Sequence, residues 1–302
     1  MVLLNQSYSY EAIIDHTKVL EKKYSQILSR KIIGTTNDNR LVAALILGKG
    51  KKALICTGGV HGRESVNPVV MVKMIEYYCE CYYEKRKLAG FSLYDLLDTY
   101  CIVWIPLINP DGYEVARKGF GMLKNPCFRQ AAKMRGIPFA EWKYNARGVD
   151  INRNFPCKHY KPLFPGDKPG SEPETAMLIQ VFREFDTIGY FDFHSRGKII
   201  YYYRNSLPEK YNIEQKKLAS YLSRLCGYTI GEPEEEMADS SSGGNTVQYY
   251  AQTYKKAAIT IETVAEEAGF PLDIGLQKEA FSEVMELPAA FLQWQMSTTT
   301  NT

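Results

Sequence analysis

The sequence predicts an α/β fold in which one mixed β-sheet is covered by helices on both faces. Helical and extended patterns alternate along the 302 residues without an obvious linker. Four strongly apolar segments have the length of buried strands, at 53–57, 99–107, 188–193 and 257–261. With 45% apolar residues the chain can bury one large core. We therefore predict a single domain over residues 1–302, with a core from about 8 to 295, although length alone also permits two domains.

The other elements follow from side-chain periodicity and from the positions of glycine and proline. Residues 10–29 place apolar side chains close to a helical spacing, which predicts an amphipathic opening helix. Residues 41–47 and 53–57 flank Gly48-Lys49-Gly50-Lys51, which predicts a hairpin. Residues 109–112, Asn-Pro-Asp-Gly, have the composition of a turn. Further helices are predicted over residues 68–86, 172–185, 208–225 and 276–296.

Candidate metal ligands stand where two of the apolar segments end. His61 and Glu64 follow segment 53–57, and His194 follows segment 188–193. Ligands of open α/β sheets bind beyond the carboxyl ends of the strands, so we expect these side chains to share one crevice. Two imidazoles and one carboxylate are the ligand set of a catalytic zinc site, which keeps a fourth position for water. A His and a Glu three residues apart also arise by chance, so the prediction depends on their place at strand ends.

A further carboxylate, Glu262, ends the apolar segment 257–261. A hydrolytic zinc site needs a base that takes a proton from water and hands it to the leaving amine. Taken alone, Glu262 is better explained by a pair with a surface lysine. Beside the predicted ligand set, we favour the base.

The segment 145–156 contains a candidate clamp for a substrate carboxylate. Arginine grips a carboxylate through two parallel hydrogen bonds and an adjacent asparagine adds a donor, which describes Asn152 and Arg153. Asp150 is suited to orient a metal-bound imidazole by accepting its second ring proton. The alternative explanation is a surface turn that is rich in hydrogen-bonding side chains.

The order of these motifs resembles that of the carboxypeptidase A-type zinc peptidase family, over roughly residues 8 to 290. The matching motifs are His61-x-x-Glu64, Asn109-Pro110-Asp111-Gly112, the run Gly-Val-Asp-Ile-Asn-Arg-Asn-Phe at 148–155, His194-Ser195 and Glu262. Any one of them is weak evidence, but five in order at compatible spacings are specific. Carboxypeptidase A is itself the familiar example of a zinc site with two His and one Glu, so the ligand assignment follows from the resemblance.

The resemblance implies a zinc carboxypeptidase-like fold that binds one zinc ion. It implies that His61, Glu64 and His194 are the ligands. It also implies that Glu262 activates the water and that Asp150 supports His61 from outside the ligand shell.

On the substrate side, the resemblance implies that Asn152 and Arg153 hold a terminal carboxylate. The family also uses an arginine to stabilise the tetrahedral oxyanion, whose charge is absent from the ground state. Arg147 is our choice for that role, and Lys143 and Arg135 are the alternatives.

Residues 145–150 and 193–202 look most like the bacterial branch of the family that trims cell-wall peptides. Enzymes of that branch cut between γ-D-glutamate and a diamino acid such as meso-diaminopimelate. Members that prefer a C-terminal Lys or Arg place an Asp shortly after a Gly-Gly pair, whereas this chain has Asn-Thr-Val-Gln at 245–248. We therefore expect poor activity on a C-terminal Lys or Arg.

A second departure concerns the segment before the Gly-Gly pair. Digestive members carry a mobile Tyr there, but counting back from Gly243-Gly244 reaches Asp239. Tyr249 or Tyr250 is then the alternative source of a phenol. Residues 231–244 are first acidic and then small, which fits either a lid over the crevice or a solvated loop.

The sequence thus predicts a zinc-dependent metallocarboxypeptidase that hydrolyses an amide bond next to a free carboxylate in a peptide or murein peptide. A zinc deacylase of N-acyl amino acids is an alternative, because related amidohydrolases share the His-x-x-Glu and distant His arrangement. A non-catalytic zinc- or carboxylate-binding module is a third possibility. Glu262 argues against that module, because a protein that only binds zinc needs no base.

Bulk properties exclude several partners but would not by themselves identify the function. The net charge of +3 and the scattered Lys and Arg residues give no electrostatic footprint for nucleic acid. The longest apolar run, 41–47, is far below the roughly 20 residues that span a bilayer, so no membrane partner is expected. The seven cysteines form no Cys-x-x-Cys pair and residues 1–6 lack signal-peptide features, which favours a reducing, cytoplasmic location. The sequence does not predict an oligomeric state.

Overall fold

Eight strands of one mixed sheet form the centre of the computed structural model, which describes residues 2–158, 160–163, 165–235 and 243–299. Two short strands pair separately. In chain order the strands are β1 (Leu28–Thr35), β2 (Leu41–Gly48), β3 (Lys52–Gly58), β4 (Lys87–Leu88), β5 (Phe91–Ser92), β6 (Tyr100–Ile105), β7 (Asp186–Ser195), β8 (Ile199–Tyr201), β9 (Thr229–Ile230) and β10 (Ala257–Thr263).

The large sheet has the strand order β1-β2-β6-β3-β7-β10-β8-β9. Its four central strands, β6, β3, β7 and β10, run parallel to one another. Alternate side chains of β3 enter two different cores, with Leu54 and Cys56 on one face and Ala53 and Ile55 on the other. Because both faces are buried, these strands consist of nearly continuous apolar residues.

Helices cover both faces of the sheet, as the sequence predicted. They are α1 (Tyr10–Lys23), α2 (Val66–Tyr83), α3 (Leu93–Thr99), α4 (Pro110–Lys118), α5 (Pro126–Met134), α6 (Pro173–Glu184), α7 (Glu209–Cys226), α8 (Thr246–Tyr254), α9 (Leu276–Val284) and α10 (Leu287–Thr299). Helices α1, α2, α3, α7, α9 and α10 contribute to the core with Leu54, whereas α6 and α8 contribute to the core with Ile55.

The predicted hairpin of residues 41–47 with 53–57 is wrong. Strand β6 lies between β2 and β3, antiparallel to β2 and parallel to β3. All six residues of β6 are buried, so the strand gains most at a central position with a neighbour on each side. The glycines between β2 and β3 turn the chain across this gap, and β2 forms its hairpin with β1.

Two predicted helices differ from those in the structure, the first because it is shorter and the last because it is interrupted. The opening helix ends at Lys23 and β1 begins at Leu28, although Ile27 and Leu28 are buried. Apolar spacing cannot distinguish these residues from a last helical turn, because they enter the same core. The predicted C-terminal helix is interrupted after Val284 and resumes at Leu287 as α10.

The predicted turn at 109–112 is in fact the start of helix α4. The Asn109 side-chain oxygen accepts a hydrogen bond from the Gly112 backbone N–H at 2.9 Å, and Pro110 occupies the first turn. Asparagine followed by proline suits an N-cap as well as a turn, so composition alone did not separate the two.

The seven cysteines are all free thiols, and only Cys127 among them is exposed. In the described part of the chain, no helix has both the length and the apolar character needed to span a membrane.

A buried acidic group lies where the chain leads into α6. The Asn145 amide donates to Glu172 Oε2 at 2.8 Å and to Glu174 Oε2 at 3.2 Å. The Glu174 side chain is fully buried, and its Oε1 has no hydrogen-bond partner among the described residues. Burial, reinforced by the nearby carboxylates of Asp111 and Glu172, raises the pKa of Glu174 to about 8.

We expect the substitution Glu174→Gln to flatten the dependence of stability on pH. The folded chain holds this proton up to about pH 8, whereas the unfolded chain releases it near pH 4.5. The folded state therefore binds more protons in that window, and the free energy of unfolding falls as pH rises, by on the order of 1 kcal/mol per pH unit from this group. Urea titrations at pH 5 and pH 8 measure the difference. If the free energy of unfolding changed by the same amount between pH 5 and pH 8 in variant and parent, the raised pKa of Glu174 would be contradicted.

Candidate metal centre and active site

The carboxyl ends of three adjacent parallel strands bring the candidate residues together. In the pairing register, Glu262 of β10 lies opposite His194 of β7, and Thr57 of β3 lies opposite Asp192 of β7. Side chains two residues apart on a strand point to the same face of the sheet. Ile55 lies two residues before Thr57 and belongs to the core formed with α6 and α8. Thr57 and the other three side chains therefore face α6 and α8. The base candidate and one ligand candidate are therefore neighbours by strand register.

The three predicted ligands converge. His61 Nδ1 lies 2.6 Å from Glu64 Oε1, and His194 Nδ1 lies 3.1 Å from Glu64 Oε2. One ligand atom from each side chain lies within 4.8 Å of the others, close enough for all three to bind one ion. Glu64 and His194 are almost completely buried. The donor set of two imidazoles and one carboxylate fits zinc and leaves a coordination position for water or substrate.

The electrostatics of the cluster favour a cation. Burial opposes charge on the His61 imidazole, but the carboxylates of Glu64 and Asp150 outweigh it and raise the pKa of His61. For Glu64, burial is likewise outweighed, and the two imidazoles lower its pKa to about 2. A metal ion binds the imidazoles only after it displaces their protons. The buried carboxylates that favour a proton on each imidazole therefore also favour a metal cation in place of that proton.

Each imidazole has a second carboxylate on its outer side. His61 Nε2 lies 3.2 Å from Asp150 Oδ1, which agrees with the role predicted for Asp150. The other oxygen of Asp150 pairs with Lys143 Nζ at 2.6 Å. Such outer carboxylates select the tautomer and the orientation of a metal-binding imidazole.

Asp192 is the matching residue for His194, and the sequence analysis missed it. Asp192 Oδ2 lies 3.1 Å from His194 Nε2, within ion-pair distance although not aligned as a hydrogen bond. Its other oxygen accepts a hydrogen bond from the Thr57 hydroxyl at 2.6 Å. The available signal was the spacing of two residues, which places Asp192 and His194 on one face of a strand.

Glu262 faces a cleft of about 260 Å³ that is also lined by both imidazoles. Burial raises the pKa of Glu262 to about 8, and the nearby Glu64 carboxylate raises it further. The His194 imidazole acts in the opposite direction but does not outweigh them. A divalent cation beside Glu262 would favour its ionised form and lower this pKa. The position is therefore suitable for a group that alternately holds and releases a proton.

The predicted carboxylate clamp lies in the same cleft, which Asn152 and Arg153 both line. Asn152 Oδ1 accepts hydrogen bonds from the Thr246 backbone N–H and hydroxyl, each at 3.0 Å, so its amide NH₂ is the group left for a ligand. Gly243, at φ +64°, packs directly on the clamp, because an added Cβ would lie 2.5 Å from the Arg153 carbonyl oxygen.

Arg147, our choice for the oxyanion, points to a different group. Its Nη1 lies 3.2 Å from Glu172 Oε1, and its side chain is 46% exposed. Arg135 stacks on the Tyr144 ring at 4.6 Å, whereas Lys143 reaches Asp150 beside the candidate ligand His61. Among the described residues that line the cleft, none of these three cations is included. The oxyanion role of Arg147 stays a prediction, and it requires that Arg147 leave Glu172.

The rest of the cleft is lined by five residues that the sequence analysis did not select: Tyr201, Glu235, Asn245, Val247 and Thr260. Glu235 comes from the acidic segment and not from the residues after Gly243-Gly244 where a carboxylate was sought. Asp239 and the rest of 236–242 lie outside the described residues, so the predicted lid is described only at its two ends. Tyr249 and Tyr250 are buried in the core and do not line the cleft.

Comparison with known proteins identifies the family and tests the fold. The sequence model of the zinc carboxypeptidase family matches residues 13–286. The chain belongs to that family. Its similarity to bovine thrombin-activatable fibrinolysis inhibitor, whose structure was solved in complex with tick carboxypeptidase inhibitor, has a TM-score of 0.79 at 19% identity and covers 98% of this chain and 99% of that one. The zinc carboxypeptidase-like fold is confirmed.

Two curated relatives bear on activity. The chain is 23% identical over 276 residues to gamma-D-glutamyl-L-diamino acid endopeptidase 1 of Lysinibacillus sphaericus, covering 85% of this chain and 65% of that protein. It is 26% identical over 265 residues to inactive metallocarboxypeptidase ECM14 of Ajellomyces capsulatus, covering 72% of this chain and 41% of that protein. The chain thus spans less than two thirds of the length of either relative.

We expect Asp192→Asn to weaken zinc binding by roughly 10- to 100-fold, because it removes the charge behind His194. Competition with a chromophoric zinc chelator measures the affinity. Asp186→Asn, at the exposed start of the same strand, is the matched control and should leave the affinity unchanged. Equal affinities for both variants would remove Asp192 from the metal site.

Proposed function

We propose that the protein is a zinc-dependent metallopeptidase of the carboxypeptidase type, which hydrolyses an amide bond next to a free carboxylate. The register of β7 and β10 is the main support, because Glu262 lies opposite His194 in it. His194 in turn belongs to the His61–Glu64–His194 cluster. The same cleft contains the arginine and asparagine suited to a terminal carboxylate.

Zinc, when held by His61, Glu64 and His194, would polarise the substrate carbonyl and acidify water. The chain's own residues perform the proton transfers. Glu262 takes a proton from the attacking water and passes the proton to the departing amine. Glu262 is partly buried, which strengthens its interactions with the charges that develop.

Asn152 and Arg153 position the substrate by its terminal carboxylate. The guanidinium provides charge and paired donors, and the Asn152 amide NH₂ adds a further donor. Fixing the carboxylate in a cleft that also contains Glu262 places one particular amide bond within reach of the base. The enzyme therefore removes a terminal residue and requires its carboxylate to be free.

For the natural substrate we favour a cell-wall peptide with a γ-D-glutamyl-diamino acid bond, such as γ-D-glutamyl-diaminopimelate. The name of the Lysinibacillus sphaericus relative supports this choice, as does the likeness of residues 145–150 and 193–202 to the bacterial branch. Mass spectrometry of the products from a mixture of muropeptides and ordinary peptides, with and without chelator, tests it. Chelator-sensitive cleavage of ordinary peptides alone would limit the function to a general carboxypeptidase.

The two alternatives are separated by the same kind of assay. A deacylase would cleave N-acyl amino acids and leave peptides intact. A non-catalytic module would bind zinc and cleave nothing, a case made relevant by a relative that is named inactive. The complete ligand set together with Glu262 favours catalysis, since binding alone requires no proton acceptor beside the metal.

We expect Glu262→Gln to retain stoichiometric zinc and to lose roughly 10²- to 10⁴-fold in kcat, because an amide cannot accept the proton. Zinc content and steady-state rates are the two measurements. Near-parental turnover in the zinc-loaded variant would exclude Glu262 as the base.

We expect Arg153→Gln to reduce the preference for a free terminal carboxylate. The ratio of kcat/KM for a peptide acid over its C-terminal amide should fall roughly tenfold or more, the scale of a hydrogen bond between charged groups. Arg183→Gln, at an exposed position on α6, should leave the ratio unchanged. An unaltered ratio in Arg153→Gln would place the carboxylate elsewhere.

A further inference from the structure

Glu235 is a second acidic residue in the catalytic cleft and has no part in the proposed hydrolysis. It lines the cleft together with Asn152, Arg153 and Glu262. Residues 245–248, just after Gly243-Gly244, contain no such carboxylate. The fold instead brings a carboxylate from the other side of that segment.

Short-range bonds fix the position of Glu235. Its backbone N–H donates to the Glu232 carbonyl oxygen at 3.1 Å, and its Oε2 accepts from the Glu232 backbone N–H, also at 3.1 Å. The bond from the Glu232 N–H to the Glu235 side chain is the half of a capping box in which the third residue of a helical turn satisfies a backbone donor at its start. The arrangement occupies Oε2 and leaves Oε1 for a ligand.

The segment that carries Glu235 is packed against the cleft wall. The Gly231 backbone N–H donates to the Ile200 carbonyl oxygen at 3.0 Å, which continues the pairing of β8 with β9. The Tyr201 ring lies directly on Gly231, because an added Cβ would be 2.1 Å from Tyr201 Cδ1. Tyr201 itself lines the cleft. Gly231 is therefore in direct contact with the cleft wall, and Glu235 lies four residues after it.

Apart from the metal cluster and Glu262, the described lining of the cleft contains two charged side chains of opposite sign, Arg153 and Glu235. Arg153 provides a cation for the terminal carboxylate, and Glu235 provides an anion that neither the metal cluster nor the base requires. Outside the metal cluster, Glu262 and Asn152, the other described lining residues are uncharged: Tyr201, Asn245, Val247 and Thr260. A leaving residue with a terminal carboxylate for Arg153 and a side-chain ammonium for Glu235 matches these two charges.

We propose that Glu235 selects a leaving residue whose side chain carries an amine, that is, a diamino acid or lysine. The proposal rests on the proposed function, because it uses the same cleft and the same carboxylate clamp. It replaces our expectation of poor activity on a C-terminal lysine. Glu235 is exposed, so the selection is modest in size and is weakened by salt.

Two peptides that differ only in the terminal residue, lysine or norleucine, test the proposal. Norleucine has the same carbon chain without the amine. In Glu235→Gln the ratio of kcat/KM for lysine over norleucine should fall roughly fivefold relative to the parent, the scale of an exposed ion pair. The parental ratio should itself decline as salt rises, and the ratio in the variant should not.

Glu234→Gln is the matched control, because Glu234 is an exposed neighbour that does not line the cleft. Its lysine-to-norleucine ratio should equal that of the parent. An unchanged ratio in Glu235→Gln, or an equal change in Glu234→Gln, would overturn the proposal.

Failure of the proposed function would appear differently, as a zinc-loaded parent that cleaves neither peptide. In that case, calorimetric binding of free lysine and norleucine to the parent and to Glu235→Gln replaces the kinetic ratio. A lysine preference that is lost in the variant supports the role of Glu235. Equal preference in both proteins overturns it.

Discussion

Parallel pairing of β3, β7 and β10 is the constraint on which the site depends. The register sets Glu262 beside His194, and the same face of β3 and β7 brings Thr57 to Asp192. Shifting either pairing by one residue would turn these side chains into the opposite core. Burial of apolar side chains on both faces of the sheet resists such a shift, so the core that stabilises the fold also holds the catalytic geometry.

The charges of the site are arranged in pairs around that frame. Glu64 lies between two imidazoles, and Asp150 and Asp192 lie on their outer sides. Buried carboxylates in such number are costly unless cations neutralise them, and a divalent ion among the ligands provides that charge. Elsewhere in the cleft, Arg153 is the cation for a substrate carboxylate, and the exposed Glu235 is the proposed anion for a substrate amine.

Sequence reasoning succeeded where candidate residues stand at the carboxyl ends of strands, because parallel strands end at the same edge of a sheet. His61, Glu64, His194 and Glu262 each follow a buried apolar segment, and the structure brings all four together. It failed where strand order decides the outcome, as in the hairpin separated by β6. Asp192 was missed although it lies only two residues from His194, because its role depends on strand geometry and on Thr57, which is distant in sequence. Glu235 was missed because it comes to the cleft from a segment outside the recognised motifs.

The coordination of zinc in the loaded protein tests the account most directly. X-ray absorption at the zinc edge, combined with metal analysis, should give one zinc per chain with two imidazole ligands and oxygen ligands, all at roughly 2.0–2.2 Å. The imidazole signal should halve in His194→Ala. A zinc ion bound through sulfur, or an imidazole signal that His194→Ala leaves intact, would contradict the convergence of His61, Glu64 and His194 on one ion.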